Sequence, residues 1–159
     1  MIHIVVGVGS SGPDADRRVR ASLDRLEDDG RWSHLCSSGL YISPAAGGGT
    51  RHRFVNAAAL LATSLHPQAL LGALLGFERE AGRVRAQKDG GRALDLDLLH
   101  VSGLARATSR LALPHPRLKE RRFALEPALE CLRLAGRPTP VGLLRARRCL
   151  GSERLRLAG

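Results

Sequence analysis

The sequence predicts a single domain that mixes β-strands with α-helices. Its 159 residues, 43% of them hydrophobic, suffice for one ordinary core and are too few for two large domains. The β-branched run at residues 2–8 is typical of a buried strand, and helical and extended patterns alternate after it. The sequence has no stretch of eighteen apolar residues, and its first residues resemble a strand more than a signal peptide. Because the length suits one core, we treat residues 1–159 as one domain.

Caps, turns and hydrophobic runs predict the elements of the first half. Asp14 suits a helix N-cap, Pro67 a first helical turn and Gly82 a helix end. Proline and glycine prevent a regular element at 43–53. The predicted order is a strand at 2–8, a helix from Asp14 to about 28, an extended segment at 32–42, a loop at 43–53, a buried strand at 54–65 and a helix from Pro67 to Gly82.

The second half begins with a basic loop beside a strand. The loop carries Arg83, Arg85, Lys88 and Arg92, and the strand starts near residue 94. A short strand, a Pro-His-Pro turn at 114–116 and a helix from about Arg121 follow. Residues 140–159 predict one amphipathic helix and a frayed tail.

Two aspartates inside an apolar strand are the most informative feature of the sequence. Asp95 and Asp97 alternate with leucines, so both side chains point to the same face of the strand. Neighbouring carboxylates repel each other, and a hard cation between them turns that repulsion into a binding site, as Mg²⁺ does beside substrate phosphates. Arg92, three residues upstream, suits an anion carried by the metal. The alternative is a pair of exposed acids on an edge strand, each paired with an arginine.

Composition limits the classes of partner. The net charge is +10, and residues 117–159 contain eleven Lys and Arg against four Glu, which favours an anionic partner. Aromatic residues are only 3% of the chain, so the stacking platforms of nucleic-acid modules are scarce and a nucleic-acid partner is disfavoured.

The three cysteines form no CxxC pair and indicate neither a disulfide framework nor a cysteine zinc site. A reducing, cytoplasmic setting is therefore expected.

Two common nucleotide-binding motifs do not occur in the sequence. It has no GxxxxGK[ST] loop, and GVGSSG at residues 7–12 lacks the third glycine of a dinucleotide fingerprint. Any bound nucleotide must be held by other groups.

The order of several motifs resembles the 6-hydroxymethyl-7,8-dihydropterin pyrophosphokinase family, whose members transfer pyrophosphate from ATP to a pterin alcohol in folate biosynthesis. GRALDLDLLHVSG at 91–103 resembles the family signature of an arginine, LDLD and a closing glycine, and LPHPRLKERRF at 113–123 resembles its PH…R.F segment. RFVNAAALLATSL and EREAGRVR fit at the expected separations. The resemblance implies an α+β, ferredoxin-like fold, with a central, mostly antiparallel sheet covered by helices on both faces in three αβα layers. A monomer is expected.

The resemblance also implies an Mg²⁺-dependent diphosphotransferase with ATP as co-substrate. By position, Asp95 and Asp97 would bind two Mg²⁺ ions, and Arg83 and Arg92 would neutralise the transferred group. The residues matching the family's ATP contacts are Arg85, His115 and Arg121. Those on the pterin side are Ser43, Pro44, Phe54, Asn56, Asp95 and Phe123, with the two phenylalanines stacking on the ring and Asn56 reading its polar edge.

Departures from the family pattern keep other functions open. AQKDGG, before Arg92, lacks the tryptophan and proline of many members, GSSG replaces the usual GSN, and Leu75 stands where a polar residue would suit a nucleotide. A non-catalytic or repurposed pterin- or nucleotide-binding paralogue is therefore an alternative, and a basic nucleic-acid-binding domain is a third. Structural roles are also open: His115 can fix its turn, Arg121 can solvate a helix start, and the phenylalanines can belong to the core.

Overall fold

Two long strands, one from the start of the chain and one from its middle, organise the structure. It is a computed structural model that describes residues 1–43, 53–80, 94–108, 111–151 and 155–158. The strands are β1 (Ile2–Ser11), β2 (Ser33–Ser37), β3 (Tyr41–Ser43), β4 (Phe54–Thr63), β5 (Asp95–Val101), β6 (Arg106–Ala107), β7 (Ala112–Leu113) and β8 (Arg156–Leu157). The helices are α1 (Ala15–Asp28), α2 (Pro67–Glu80), α3 (Arg122–Leu134) and α4 (Val141–Cys149), with a 3₁₀ helix at Pro116–Lys119.

The main sheet has the strand order β5-β1-β4-β3-β8, and β2 also pairs with β4. β1 and β4 pair along their whole lengths, and every pairing among the described strands is antiparallel. A sheet of this kind combined with separate helices is an α+β architecture, which confirms the expected class. None of the helices in the described ranges is long and apolar enough to cross a membrane.

Alternate residues of β1 enter two different apolar clusters. Ile4, Val6 and Val8 belong to a cluster that also contains residues of α1 and α2. Val5 belongs to a second cluster, with residues of α3 and α4. Because successive side chains of a strand point to opposite faces, the two clusters lie on the two faces of the sheet. β1 is therefore buried on both faces.

The predicted helices are found close to their expected positions. Asp14 stands at the N-cap of α1, although its side chain makes no capping hydrogen bond. α2 begins at Pro67, α3 begins beside Arg121, and α4 begins at Val141. The end of α2 was predicted at Gly82, with the basic loop after it, and both lie within residues 81–93, outside the described residues. Residues 44–52 of the glycine-rich loop also lie outside the described residues.

The extended segment predicted at 32–42 is present, but the prediction of a single segment is wrong, because two strands, β2 and β3, occupy this part of the chain. β2 and β3 follow the same edge of β4, separated at Ser38. The Ser38 backbone N–H donates to the Ala58 carbonyl at 2.9 Å, and the Ser38 hydroxyl accepts from the Ala58 N–H at 2.9 Å. A side-chain oxygen thus replaces a backbone carbonyl in the ladder, which interrupts the strand.

The predicted frayed tail is also wrong. Leu157 and Arg156 of β8 pair with Tyr41 and Ile42 of β3, and the Ala158 N–H donates to the Leu40 carbonyl at 2.9 Å. An edge strand presents unpaired backbone groups, and β8 satisfies those of β3. The polar composition of the tail does not reveal a pairing with so distant a segment.

Acidification is expected to destabilise the protein through His100 on β5. Its Nδ1 is buried without a hydrogen-bond partner among the described residues, and burial lowers the pKa of the imidazole below its ordinary value of 6.5. Below pH 6.5 the unfolded chain therefore binds more protons than the folded one, so the free energy of unfolding falls as the pH falls through this window. Urea unfolding at pH 8 and pH 5.5 measures the effect, and His100→Gln should flatten the dependence.

The same dependence has a second contributor at the start of β1. Burial and the nearby charge of Arg137 lower the pKa of His3 as well. His100→Gln should therefore leave part of the slope in place. A slope identical to that of the unmodified protein would exclude His100 as a cause.

Candidate active site

Two glycines of β1 create a hollow on one face of the sheet. Gly9 pairs with Asn56 of β4 on one side and with Asp95 of β5 on the other. Gly7 pairs with Asp97 of β5 in the same way. Directly paired residues of antiparallel strands place their side chains on the same face, and a glycine contributes none. The flanking side chains therefore surround an open space above β1.

This space is a cavity of about 290 Å³. It brings together seven predicted site residues from four separate parts of the chain: Ser43, Phe54, Asn56, Asp95, Asp97, Arg121 and Phe123. The sequence also predicted Pro44, Arg83, Arg85 and Arg92, which lie outside the described residues. Sheet pairing and the placement of α3 thus bring together the acidic, basic, amide and aromatic groups that the sequence separates.

The two carboxylates line the cavity because β5 alternates regularly at this point. Asp95 and Asp97 are half-buried and face the cavity, whereas Leu96 and Leu98 are buried in the cluster on the opposite face. β5 is an edge strand of the described sheet, as the alternative interpretation supposed. The acids nevertheless point into a cavity and not to open solvent, which favours a ligand-binding role.

A β-bulge ends this alternation directly after the acids. The register of β5 against β1 shifts so that Leu98 pairs with Val6 and His100 pairs with Val5. Leu99, between them, joins the cluster on the cavity face. Its Cδ1 lies 2.9 Å from the position that a Cβ on Gly7 would occupy. Leu99 therefore packs over Gly7 and forms an apolar limit of the cavity.

The polar side of the cavity is formed by β3 and β4. The Asn56 amide Nδ2 donates to the Ser43 hydroxyl at 3.5 Å, and Ser43 is 2% exposed. The Asn56 Oδ1 lies 3.1 Å from the position that a Cβ on Gly9 would occupy, so the amide lies over the glycine. A buried hydroxyl beside a fixed amide offers both donors and acceptors to a planar polar ligand.

The start of α3 supplies a cation and an aromatic ring. Arg121 is the extended residue before α3, and its guanidinium carbon lies 5.6 Å from the ring centroid of Phe123. A cation at a helix N-terminus opposes the helix dipole, so an anion bound nearby would favour this arrangement. Phe54 of β4 lines the same cavity and is half-buried, as Phe123 is.

A contact between α3 and β3 holds this helix over the cavity face. The Tyr41 hydroxyl donates to the Glu130 carboxylate at 2.9 Å, and the Gly39 N–H donates to the same oxygen at 3.2 Å. Burial and the Glu130 charge raise the pKa of Tyr41 above its ordinary value, so the phenol stays protonated and able to donate. Tyr41 pairs with Asn56, which links the anchor to the polar side of the cavity.

Comparison with known proteins agrees with this constellation. The chain matches the family model described as 7,8-dihydro-6-hydroxymethylpterin-pyrophosphokinase (HPPK) over residues 5–133. This chain belongs to the HPPK family. It is 38% identical over 125 residues to the 2-amino-4-hydroxy-6-hydroxymethyldihydropteridine pyrophosphokinase of Pseudomonas aeruginosa, covering 79% of this chain and 77% of the relative.

Two further proteins of the same name are similar over most of their length. The relative from Methylorubrum extorquens is 32% identical over 130 residues, which cover 82% of each chain. The relative from Campylobacter jejuni is 35% identical over 117 residues, which cover 74% of each chain. The HPPK match includes all the described residues that line the cavity.

One predicted site residue in the described structure, His115, lies outside the cavity lining. It caps the 3₁₀ helix, where its Nδ1 accepts from the Arg117 N–H at 3.2 Å. Its backbone N–H donates to the Leu99 carbonyl at 2.8 Å. These bonds match the structural alternative, a histidine that fixes its turn, and they fasten the turn to β5. A contact of His115 with ATP stays a prediction.

The carboxylates fit the metal that the HPPK family implies. The described residues contain no group of three or more His, Cys, Asp or Glu that could hold an ion alone. Mg²⁺ usually keeps several waters and is bound through one or two carboxylates together with substrate phosphates. Asp95 and Asp97 supply two such carboxylates on one face of a cavity open to a ligand.

Gly7 and Gly9 line the cavity but were not among the predicted site residues. Their motif suggested only an incomplete dinucleotide fingerprint, whereas in the structure Gly9 lines the cavity and Gly7 makes room for the Leu99 side chain. A usable signal was present, because a glycine inside a strand often marks a close approach of another group. Two glycines spaced by two in a β-branched run place both gaps on one face.

Proposed function

We propose that this chain transfers pyrophosphate from ATP to the hydroxymethyl group of 6-hydroxymethyl-7,8-dihydropterin and releases AMP, as a step of folate biosynthesis. The observation that carries this proposal is the single cavity that joins two carboxylates, an arginine, an amide and two phenylalanines in an HPPK-family chain. Each group suits one part of the two substrates. The proposal is supported further by relatives named for this activity.

The aromatic and amide side of the cavity suits the pterin. Phe54 and Phe123 are half-buried side chains that can contact the flat ring faces, at low conformational cost because the ligand is rigid. The Asn56 amide and the Ser43 hydroxyl can exchange hydrogen bonds with the ring's polar edge. Pro44, which follows Ser43 in the sequence, is proposed as a further pterin contact.

The acidic side of the cavity suits the phosphates and their metal ions. Asp95 and Asp97 would hold two Mg²⁺ ions, which when bound neutralise phosphate charge and lower the pKa of a coordinated hydroxyl. Arg121 adds a fixed positive charge on the α3 side of the cavity. We propose that Arg83, Arg92 and Arg85 contact the phosphates from the segment between α2 and β5, and that His115 does so from its turn.

For this reaction the chain has to position the two substrates and neutralise the charge of the phosphates. A bond forms between the hydroxymethyl oxygen and the β-phosphorus of ATP, while the bond from that phosphorus to the oxygen shared with the α-phosphorus breaks. The hydroxyl proton leaves to solvent, and AMP retains the shared oxygen. Phosphoryl transfer of this kind needs little covalent help from protein groups. Carboxylates for metal and a set of arginines are a sufficient catalytic apparatus.

The proposal also covers the layer arrangement of the fold, the oligomeric state and the location of the protein. The two apolar clusters on opposite faces of the antiparallel sheet support the three-layer, ferredoxin-like arrangement. We also propose that the protein is a monomer. Cys36, Cys131 and Cys149 are free thiols, which supports a cytoplasmic location.

A product assay tests the proposed function. The purified chain incubated with Mg²⁺, ATP and 6-hydroxymethyl-7,8-dihydropterin is expected to release AMP and the pterin diphosphate in equal amounts, measured by chromatography. Omission of the pterin should abolish AMP release and exclude simple ATP hydrolysis. ADP as the product would indicate ordinary kinase chemistry. Binding of both ligands by calorimetry without turnover would identify the non-catalytic paralogue.

A further inference from the structure

Glu78 is a buried carboxylate in the last turn of α2, away from the groups that line the cavity. Its side chain is 2% exposed, whereas the next two residues of the helix, Arg79 and Glu80, are exposed. Glutamate is among the residue types that are least often buried without a specific partner. Here the Glu78 Oε1 accepts a hydrogen bond from the Leu96 backbone N–H at 2.8 Å.

Leu96 stands between the two aspartates of β5. Successive N–H groups of a strand point alternately to its two sides, and β5 has a strand neighbour, β1, on only one side in the described structure. The Leu96 N–H bonds to Glu78 and therefore points away from β1. Glu78 supplies the acceptor that a further strand would otherwise supply, at the residue between Asp95 and Asp97.

The face of β5 opposite the two aspartates packs against α2. The Leu96 side chain points away from the acids into the apolar cluster that also contains Leu74 and Phe77 of α2. α2 therefore contacts Leu96 in two ways, through apolar packing below the sheet and through the Glu78 carboxylate at its edge. Together these contacts fix the orientation of the peptide groups that join Leu96 to the two aspartates.

We propose that Glu78 is a positioning residue that sets the separation and direction of the Asp95 and Asp97 carboxylates for metal binding. The inference deepens the proposed function and rests on it. Groups that orient metal ligands commonly contribute ten- to a hundredfold in metal affinity or activity, because ligand positions must be held within a fraction of an ångström. Glu78 acts through the β5 backbone and does not contact the substrates.

The test compares three variants of the full chain. Glu78→Leu removes the acceptor, Glu78→Gln keeps a side-chain oxygen of similar reach, and Glu80→Gln changes an exposed carboxylate of the same helix that pairs with Arg25. Mg²⁺ affinity in the presence of a nonhydrolysable ATP analogue is measured by calorimetry, alongside kcat and the pterin KM. Glu78→Leu should weaken Mg²⁺ binding by about tenfold or more and lower kcat, with the pterin KM little changed. Glu78→Gln should restore both values to within about threefold, and Glu80→Gln should match the unmodified chain.

Two results would overturn the assignment. One is Mg²⁺ affinity in Glu78→Leu equal to that of the unmodified chain, and the other is an equal defect in Glu78→Gln and Glu78→Leu. If Glu78→Leu does not fold, amide hydrogen exchange of the unmodified chain decides, because Leu96 must then be protected, and rapid exchange at Leu96 contradicts the bond. The Mg²⁺ titration and the exchange measurement need no turnover, so they separate a failure of this inference from a failure of the proposed reaction.

Discussion

Replacement of Asp97 by asparagine is expected to reduce pterin-dependent AMP release by about a thousandfold or more. The change keeps the size of a side chain that lines the cavity but removes one of the two anionic ligands proposed for the metal. Metal ions contribute several kcal/mol of transition-state stabilisation in reactions of this type, and each 1.36 kcal/mol corresponds to about a tenfold change in rate. Initial rates measured with saturating ATP and pterin, over a range of Mg²⁺ concentrations, provide the test.

The matched control is Asp24→Asn, which changes an exposed carboxylate on α1. Its rate should equal that of the unmodified chain, since α1 packs on the face of the sheet opposite the cavity. Circular dichroism should show that both variants are folded. An Asp97→Asn variant with full activity and unchanged Mg²⁺ dependence would contradict the metal assignment.

Replacement of Gly9 by valine is expected to weaken pterin binding by about a hundredfold or more. A Cβ at this position already lies 3.1 Å from the Asn56 Oδ1, and two further methyl groups would enter the space that the glycine leaves open. Overpacking of a site that the bound pterin fills costs up to about 3 kcal/mol, and each 1.4 kcal/mol corresponds to about a tenfold change in affinity. Fluorescence titration of the reduced pterin measures the effect. Gly9→Ala should give an intermediate affinity.

Valine suits a strand, so the fold should tolerate the Gly9→Val change. The matched control is Gly30→Val, because no atom of the described residues other than Gly30 and its chain neighbours lies within 4 Å of the position that a Cβ on this glycine would occupy. It should bind pterin as the unmodified chain does. Equal pterin affinity in Gly9→Val and the unmodified chain would mean that the pterin does not occupy the space above β1.

The acid pair shows what the sequence could predict about the site. Whether Asp95 and Asp97 share a face depends only on the alternation of one strand, and this alternation is local. Asn56, Phe54 and Phe123 were predicted as site residues only through the family resemblance, and the structure places all three in the cavity lining. Motif order then related these segments to the HPPK family, which the family match confirms.

The roles of Gly9 and Glu78 could not be predicted from local sequence patterns. What a glycine leaves open depends on its neighbours in β4 and β5, which come from distant parts of the chain. Likewise, a glutamate in a helix gives no local sign that its carboxylate will accept from the Leu96 N–H. Such contacts follow from sheet order and helix placement, which no single segment encodes.

The amino-acid sequence alone determined the mixture of strands and helices, the approximate starts of the four α-helices, and the shared face of the two aspartates, because short-range periodicity and capping decide these features. Only the tertiary structure decided that β1 lies between β4 and β5, that Ser38 divides β2 from β3, and that β8 returns to β3. These pairings depend on which backbone groups of distant segments meet, and the hydrogen-bonding groups of the peptide backbone are nearly identical at every residue.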